Sequence, residues 1–332
     1  MTYLIKSMKI CLVGPGIMQI PPVGWGAVEI LIWDYYTHCK KNNHDVVIVN
    51  KLRKNHTDQS SPYTLYSKEL IAEINDGGFD VVHLHYDCLY HILPFLTCPK
   101  IAITSHYPYM NQPQRHSFDG FGNIYSFLRK NKSYLHFMIA QKDIDFMISE
   151  GADPGYIFLL ENGVDSEYIR CTDLPRFPHK TIYLGNITTR KKQHIFDSLE
   201  TIDIIGPNPD QTYLKNWKGE WTRDDVSQKL TEYGNLLLIS AGEADPLVVK
   251  EALMAGLGVV INESSSKNLQ ASDFITIIED NRMDDFSYVK EMVSKNLQTL
   301  RLVPRSEIRR FAEESFSWRP LIEKYTRTLE NF

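Results

Sequence analysis

Three observations predict an α/β protein built from two Rossmann-like domains. Short apolar strands alternate with amphipathic stretches along most of the 332-residue chain, a pattern of parallel sheets covered on both faces. The alternation stops in a polar stretch with two prolines, residues 161–179, and then starts again. The length suits two domains of ordinary size with a large buried core. The expected arrangement is two such domains facing each other across a cleft, with ligands at the carboxyl ends of the strands.

The elements follow in order. Residues 9–14 form the first strand and residues 27–41 the first helix. A strand at 45–50, a helix at 67–74 and strands at 81–85 and 100–104 come next. A loop rich in glycine, proline and aromatic residues then leads to a strand at 135–139. The second set has strands at 180–184, 202–205, 236–239, 259–261 and 275–278. Before the fourth of these, Asp245 is an expected N-cap and Pro246 an expected first-turn residue of a helix that Gly256 and Gly258 stop. The predicted domains are residues 1–165 and 166–317, with a last helix at 318–332 packing back on the first domain.

Composition narrows the class. The net charge of −5 offers no bulk basic field for nucleic acid. Five scattered cysteines with no C-x-x-C pair resemble reduced cytosolic thiols, so the expected location is cytoplasmic. No apolar run approaches the ~18 residues of a membrane-spanning helix, which leaves room only for peripheral membrane association.

Two local patterns suggest a phosphorylated ligand. Gly14-Pro15-Gly16 ends the first strand, but Gln19 stands where a dinucleotide-binding fingerprint needs its third glycine. The first helix starts late, after Gly24 and Gly26, whose backbone N–H groups can face an anion at a helix start, with Glu29 in the first turn. Farther on, Glu243 in a loop and Glu251 inside a helix stand eight positions apart. A helix N-terminus beside such a loop favours an anion, and Glu251 can accept from sugar hydroxyls. The same segment reads equally as an ordinary α/β unit with two solvated glutamates, and the glycine loop as a plain connection.

Taken together and in order, the motifs resemble those of retaining glycosyltransferases of the two-domain GT-B architecture, family 4 (glycosyl transferases group 1). Residues 22–29, P-V-G-W-G-A-V-E, resemble the glycine-rich first loop of that family. D-V-V-H-L-H at 80–85 and I-T-S-H at 103–106 resemble its third and fourth strands. E-N-G-V-D at 161–165 resembles the approach to its second domain, and L-G-N-I-T-T-R-K-K at 184–192 its phosphate loop. Glu243 and Glu251 match its paired glutamates, and F-S-W at 316–318 its last crossover.

The resemblance implies a nucleotide-diphosphate sugar, UDP- or GDP-linked, as donor and a carbohydrate or glycoconjugate hydroxyl as acceptor, with no cofactor and no metal. It implies that Glu243, Lys191 and His106 act on the transferred sugar and leaving phosphate. Gly24, Gly26, Asn186, Arg190, Leu247 and Glu251 would bind the donor, with Glu251 on the ribose. The transition state is cationic at the anomeric carbon while the diphosphate leaves as an anion, so a lysine, amides and a helix N-terminus can carry the leaving charge.

Three positions depart from the family pattern. Asn186 stands where an arginine usually follows the phosphate-loop glycine, and Lys192 where a glycine follows the lysine. Ala244-Asp245-Pro246 replaces Gly-Phe-Gly, so one main-chain donor is missing and a carboxylate is added. These changes keep open a second reading, a catalytically weak nucleotide-sugar-binding or scaffolding protein on the same fold.

The segment 106–122 is long, aromatic and poor in acid, and Tyr107 and Arg115 within it are the candidate acceptor contacts, Arg115 for an anionic one. A packed loop is the competing reading. His83, His85, His106 and His116 would make a metal site only if three converged, and none is expected. Trp217 and Trp221 fit exposure and edge packing equally.

Overall fold

The computed structural model describes residues 7–332 and contains two all-parallel sheets. Residues 1–6, where the first predicted domain begins, lie outside the described residues. The first sheet comprises β1 (Lys9–Val13), β2 (Asp45–Val49), β3 (Val81–Leu84), β4 (Lys100–Thr104), β5 (Leu135–Met138) and β6 (Ile157–Leu159), in the order β2-β1-β3-β4-β5-β6. The second comprises β7 (Phe177–Leu184), β8 (Ile202–Ile205), β9 (Tyr233–Leu238), β10 (Gly258–Asn262) and β11 (Ile275–Ile278), in the order β11-β10-β9-β7-β8.

Both sheets reverse direction at one point. In the first, the chain moves from β1 out to β2 and then back past β1 to β3, so Cys11 is flanked by Val47 on one side and Val82 on the other. In the second, β7 is flanked by β8 and β9. Loops leaving strands on opposite sides of such a reversal diverge, and a crevice opens at their carboxyl ends. Each unit therefore has its own predicted ligand edge, β1/β3 in one and β7/β9 in the other.

The strands are buried on both faces. Ile10 to Val13 and Leu236 to Ile239 have no exposed surface, which explains why they read as apolar runs without alternation. The helices of the first sheet are α1 (Ala27–Lys41), α2 (Leu65–Asp76), α3 (Pro113–Phe118), α4 (Gly122–Arg129) and α5 (Gln141–Ser149). Helix α1 buries Leu31, Tyr35 and Cys39 at four-residue spacing and ends in Lys40 and Lys41, whose charge suits its C-terminus. Thr64 caps α2 by accepting from the Ser67 N–H.

The second sheet carries α6 (Gln193–Phe196), α7 (Arg223–Lys229), α8 (Leu247–Met254), α9 (Phe286–Thr299) and α10 (Arg305–Phe316), and α11 (Trp318–Asn331) closes the chain. The Cα positions divide the chain into two units. One holds the segment up to Pro22, Gly26–Glu161 and Trp318–Phe332, and the other Val23–Trp25 and Asn162–Ser317. The division falls ahead of the predicted 165/166 boundary, because the Asn162 N–H and side chain bond to Asp245 of the second unit. Helix α11 belongs to the first unit: Trp318 Nε1 donates to Asp34 at 3.1 Å, and buried Tyr325 packs edge-on against Tyr35 and tilted against Phe137.

Several expectations need correction. Residues 106–122 are not one loop; α3 and the start of α4 lie within them. Strand β6 and helix α5 carry no sequence prediction. The stretch 161–179 is not a free linker, since β7 starts at Phe177 and Val164 and Ile169 are buried. Asp245 does not cap α8. Pro246 occupies the N-cap position with no side-chain cap, and the Asp245 carboxylate turns inward to Lys250 at 2.6 Å. Both side chains of that pair are 1% exposed.

Candidate functional site

The loops after β7 and β9 meet at the reversal of the second sheet. Tyr183, buried near the end of β7, holds them together. Its hydroxyl lies within hydrogen-bond reach of the main-chain oxygens of Lys191 and, at 2.6 Å, Ile239, with one proton to serve either, and accepts from the Ile239 N–H at 3.0 Å. The Ala241 N–H adds a backbone bond to the Arg190 oxygen. The turn after β7 is short. Gly185 follows β7 with φ +155, and a Cβ there would stand 3.1 Å from Lys191 Nζ, so a larger residue would push the lysine aside. Thr188 then caps the single turn Thr189–Lys191.

This framework brings Arg190, Lys191 and Glu243 together. Glu243 Oε1 accepts from Arg190 at 2.8 Å and lies 3.6 Å from Lys191 Nζ. Arg190 also donates to Ser240 Oγ and the Gly242 carbonyl, so it shapes the glutamate loop. Burial acts to raise the Glu243 pKa, but the charges of Lys191 and Arg190 outweigh it and hold the carboxyl below the usual range. The result is a fixed carboxylate beside a lysine only 14% exposed.

The other sequence candidates are placed as follows. Glu251 lies on α8, 4% exposed, and its carboxylate receives Arg223 at 2.6 Å. Arg223 was not singled out from the sequence, and its backbone N–H bonds to the Val23 oxygen, which ties the Gly24 segment to the second unit. Leu247 is buried in the first turn of α8. Asn186 gives its main-chain oxygen to Gln193, and its side-chain Oδ1 is buried without a partner. Lys192 takes a left-handed conformation and pairs with Asp284, away from the Glu243 cluster.

In the first unit, Gly26 is the N-cap residue of α1. His106 stacks on His85, with Nε2 3.4 Å from His85 Nδ1 and its own Nδ1 buried without a partner. His83 bonds to Thr104 and Tyr325, a satisfied core histidine. Among the described residues, no group of three or more His, Cys, Asp or Glu could hold a metal ion. Arg115 and Tyr107 do meet: the guanidinium donates to the Tyr107 hydroxyl and to Asp119, each at 2.9 Å. Asp119 thus already answers part of the Arg115 charge. Trp217 is 40% exposed and donates to the Gly206 oxygen, and Trp221 packs beside Tyr233.

The buried imidazoles have a consequence for stability. Burial pushes His106 and His136 down to about 4, and His83 and His85 well below their usual value. Between pH 6.5 and 4 the unfolded chain binds protons that the folded chain refuses, so stability falls as pH falls through that window. For His136, which has no exposed surface, the loss at pH 5 is about 2 kcal/mol. Urea unfolding at pH 7.5 and 5 should show the drop, and His136→Gln should remove roughly that part of it. Equal stability at both values would mean that the imidazoles are hydrated.

Similar architectures are known. A sucrose-phosphate synthase from Thermosynechococcus elongatus matches with a TM-score of 0.76 at 12% identity, covering 98% of this chain and 99% of that one. HepE of Anabaena, solved with UDP and glucose, matches with 0.71 at 13% identity, covering 98% and 100%. WaaG, a glycosyltransferase of lipopolysaccharide biosynthesis, matches with 0.69 at 14% identity, covering 96% and 99%. No protein-family profile matches the chain, and no curated protein matches it in sequence. The fold is therefore that of GT-B glycosyltransferases.

Proposed function

We propose that this protein is a glycosyltransferase that moves a sugar from a nucleotide-diphosphate sugar to a hydroxyl acceptor, with retention of the donor's anomeric configuration. The observation that carries the reading is the Arg190–Lys191–Glu243 cluster at the strand reversal of the second sheet. A lysine is placed for the charge of a departing diphosphate, and a carboxylate is held ionised beside it. Glu251, on α8, is the ribose acceptor of this reading, with Arg223 fixing its rotamer. UDP-linked sugars are the first donors to test, because HepE, alike in architecture, was solved with UDP-glucose.

In the proposed step the anomeric C–O bond breaks and its electron pair leaves with the diphosphate. Lys191 stabilises that growing charge. The acceptor hydroxyl attacks from the same face and gives its proton to a departing phosphate oxygen. Glu243, locked by Arg190, orients the sugar hydroxyls and stabilises the cationic ring. This assignment asks no metal to carry the leaving charge.

The test is a panel of UDP- and GDP-sugars, with binding followed by thermal shift and product by NMR. The expected result is tight binding of one donor, slow hydrolysis of it in water and a retained anomer. An inverted anomer would overturn the retaining mechanism. Binding without hydrolysis or transfer would assign the chain to the catalytically weak, nucleotide-sugar-binding class, which the Asn186 and Pro246 departures favour.

A further inference from the structure

The first sheet ends at β6, whose outer side pairs with no strand among the described residues. Phe158 of β6 is the register partner of Phe137 of β5, so the two rings share a face, with centres 6.4 Å apart. Tyr325 of α11 meets the same Phe137 ring, which puts α11 on that face. Trp318, Leu321, Tyr325 and Leu329 belong to the buried side of α11. Its other side, at three- and four-residue steps from Pro320 to Asn331, walls a cavity of about 460 Å³ that Phe158 and Gly155 border from the edge of the sheet. That volume falls within the ~300–1,000 Å³ of small-molecule sites.

Two cations line the cavity. Lys324 and Arg327, both exposed, stand three positions apart on the helix wall, and neither side chain has a hydrogen bond or ion pair with a described residue. Like charges at that spacing oppose the helix. Cations near a helix C-terminus ordinarily answer its last carbonyls, but here Lys100 does so, with Nζ 2.5 Å from the Leu329 oxygen and 3.1 Å from the Glu330 oxygen. Glu323, the acidic side chain of the lining, lies 3.7 Å from Arg319. The apolar part of the lining is Pro320, Phe158 and Phe332, the last 39% exposed with its ring centre 6.0 Å from that of Tyr156.

Two cations without a counter-ion in a partly enclosed cavity attract an anion: the attraction grows as water is displaced, and no existing pair has to be broken. Aromatic walls favour a planar apolar body. We propose that this cavity is a second ligand site, in the first unit, for an anion carried on a flat apolar body, an aryl phosphate or an aryl carboxylate. The anion meets Lys324 and Arg327, and the body lies against Phe158 and Phe332. The site uses no residue of the Arg190–Lys191–Glu243 cluster and does not rest on the transfer reading.

The probes are phenyl phosphate and benzoate, titrated into the whole protein by ligand-observed NMR. Inorganic phosphate is the anion without a body, and benzyl alcohol the body without an anion. At least one aryl anion should bind better than both controls. It should weaken about tenfold or more in the K324Q/R327Q double variant, with each single variant between. It should keep its affinity in K191Q, which removes the cation of the proposed donor site. F332A should weaken the aryl anion and leave inorganic phosphate unchanged. Preference for phenyl phosphate names a phosphate ligand, and preference for benzoate a carboxylate. Binding that survives in the double variant, that is lost only in K191Q, or that does not exceed benzyl alcohol overturns the site. Equal binding of inorganic and phenyl phosphate overturns its apolar half. UDP-sugar binding is measured separately in the double variant, so a failed donor reading and a failed second site give different results.

Discussion

Lys250→Met is expected to destabilise the fold by about 3–5 kcal/mol, a large share of a typical domain's stability. Lys250 Nζ lies 2.6 Å from Asp245 and 2.7 Å from the Asn162 carbonyl, under the Phe316 ring, with almost no exposed surface. Taking the lysine away leaves a buried carboxylate with no counter-charge and a carbonyl with no donor. The double variant Lys250→Met/Asp245→Asn should recover much of the loss. The asparagine still accepts from the Asn162 N–H, its amide can donate to the Asn162 oxygen, and no charge remains to be buried. Urea unfolding of the wild type, the two single variants Lys250→Met and Asp245→Asn, and the double variant measures both the loss and the recovery. A single variant within 1 kcal/mol of the wild type would mean that water reaches the pair.

That pair also marks the limit of what the sequence discloses. Asp245 before Pro246 at a helix start has the composition of an N-cap, and local pattern favours that role. The competing partner, Lys250, is one helical turn into α8, where a lysine ordinarily reads as solvated. The packing of Asn162 and of the Phe316 ring over α8 makes its position buried. Strands such as β1, β8 and β11 were legible because buried parallel strands are apolar on both faces, and α1 because its four-residue spacing is clean. Strand β6 is three residues long and half-buried in part, too short to show a period. Helices α3 and α4 are brief and interrupted by Asp119-Gly120, so their aromatic residues read as loop.

The site was legible to a similar degree. Glu243, Lys191 and Glu251 stand out by type and spacing, and the first two do converge. Arg223, which fixes Glu251, lies 28 positions away in a polar stretch and gives no local signal. Tyr183 is hidden for a different reason: inside an apolar strand it reads as core, and only its hydroxyl, bonded to two loops, gives it a role.

Lys191→Ala should lower kcat about 10²–10³-fold, ~2.7–4 kcal/mol, the scale for removing one preorganised group from a developing negative charge. Donor affinity should fall much less, since in the proposed step the diphosphate gains charge at the lysine only as the glycosidic bond breaks. A second signature follows from Glu243. Its burial acts to raise its pKa, and Lys191 is the first of the charges that oppose this. Without the lysine, Arg190 at 2.8 Å and the Ser240 hydroxyl are left to do so. The carboxyl of the variant should therefore titrate at higher pH, and the acidic limb of the residual activity should move up with it. Arg190→Ala should move the limb in the same direction and also loosen the Ser240–Glu243 loop, where the two N–H donors of Nη1 are shared among the Ser240 hydroxyl, the Gly242 oxygen and Glu243. Steady-state kinetics across pH, with donor affinity by calorimetry, separates the cases. A variant with unchanged kcat and only a raised KM would make Lys191 a uniform binder and remove it from the bond-breaking step. An unmoved acidic limb would show that the group titrating there is not Glu243.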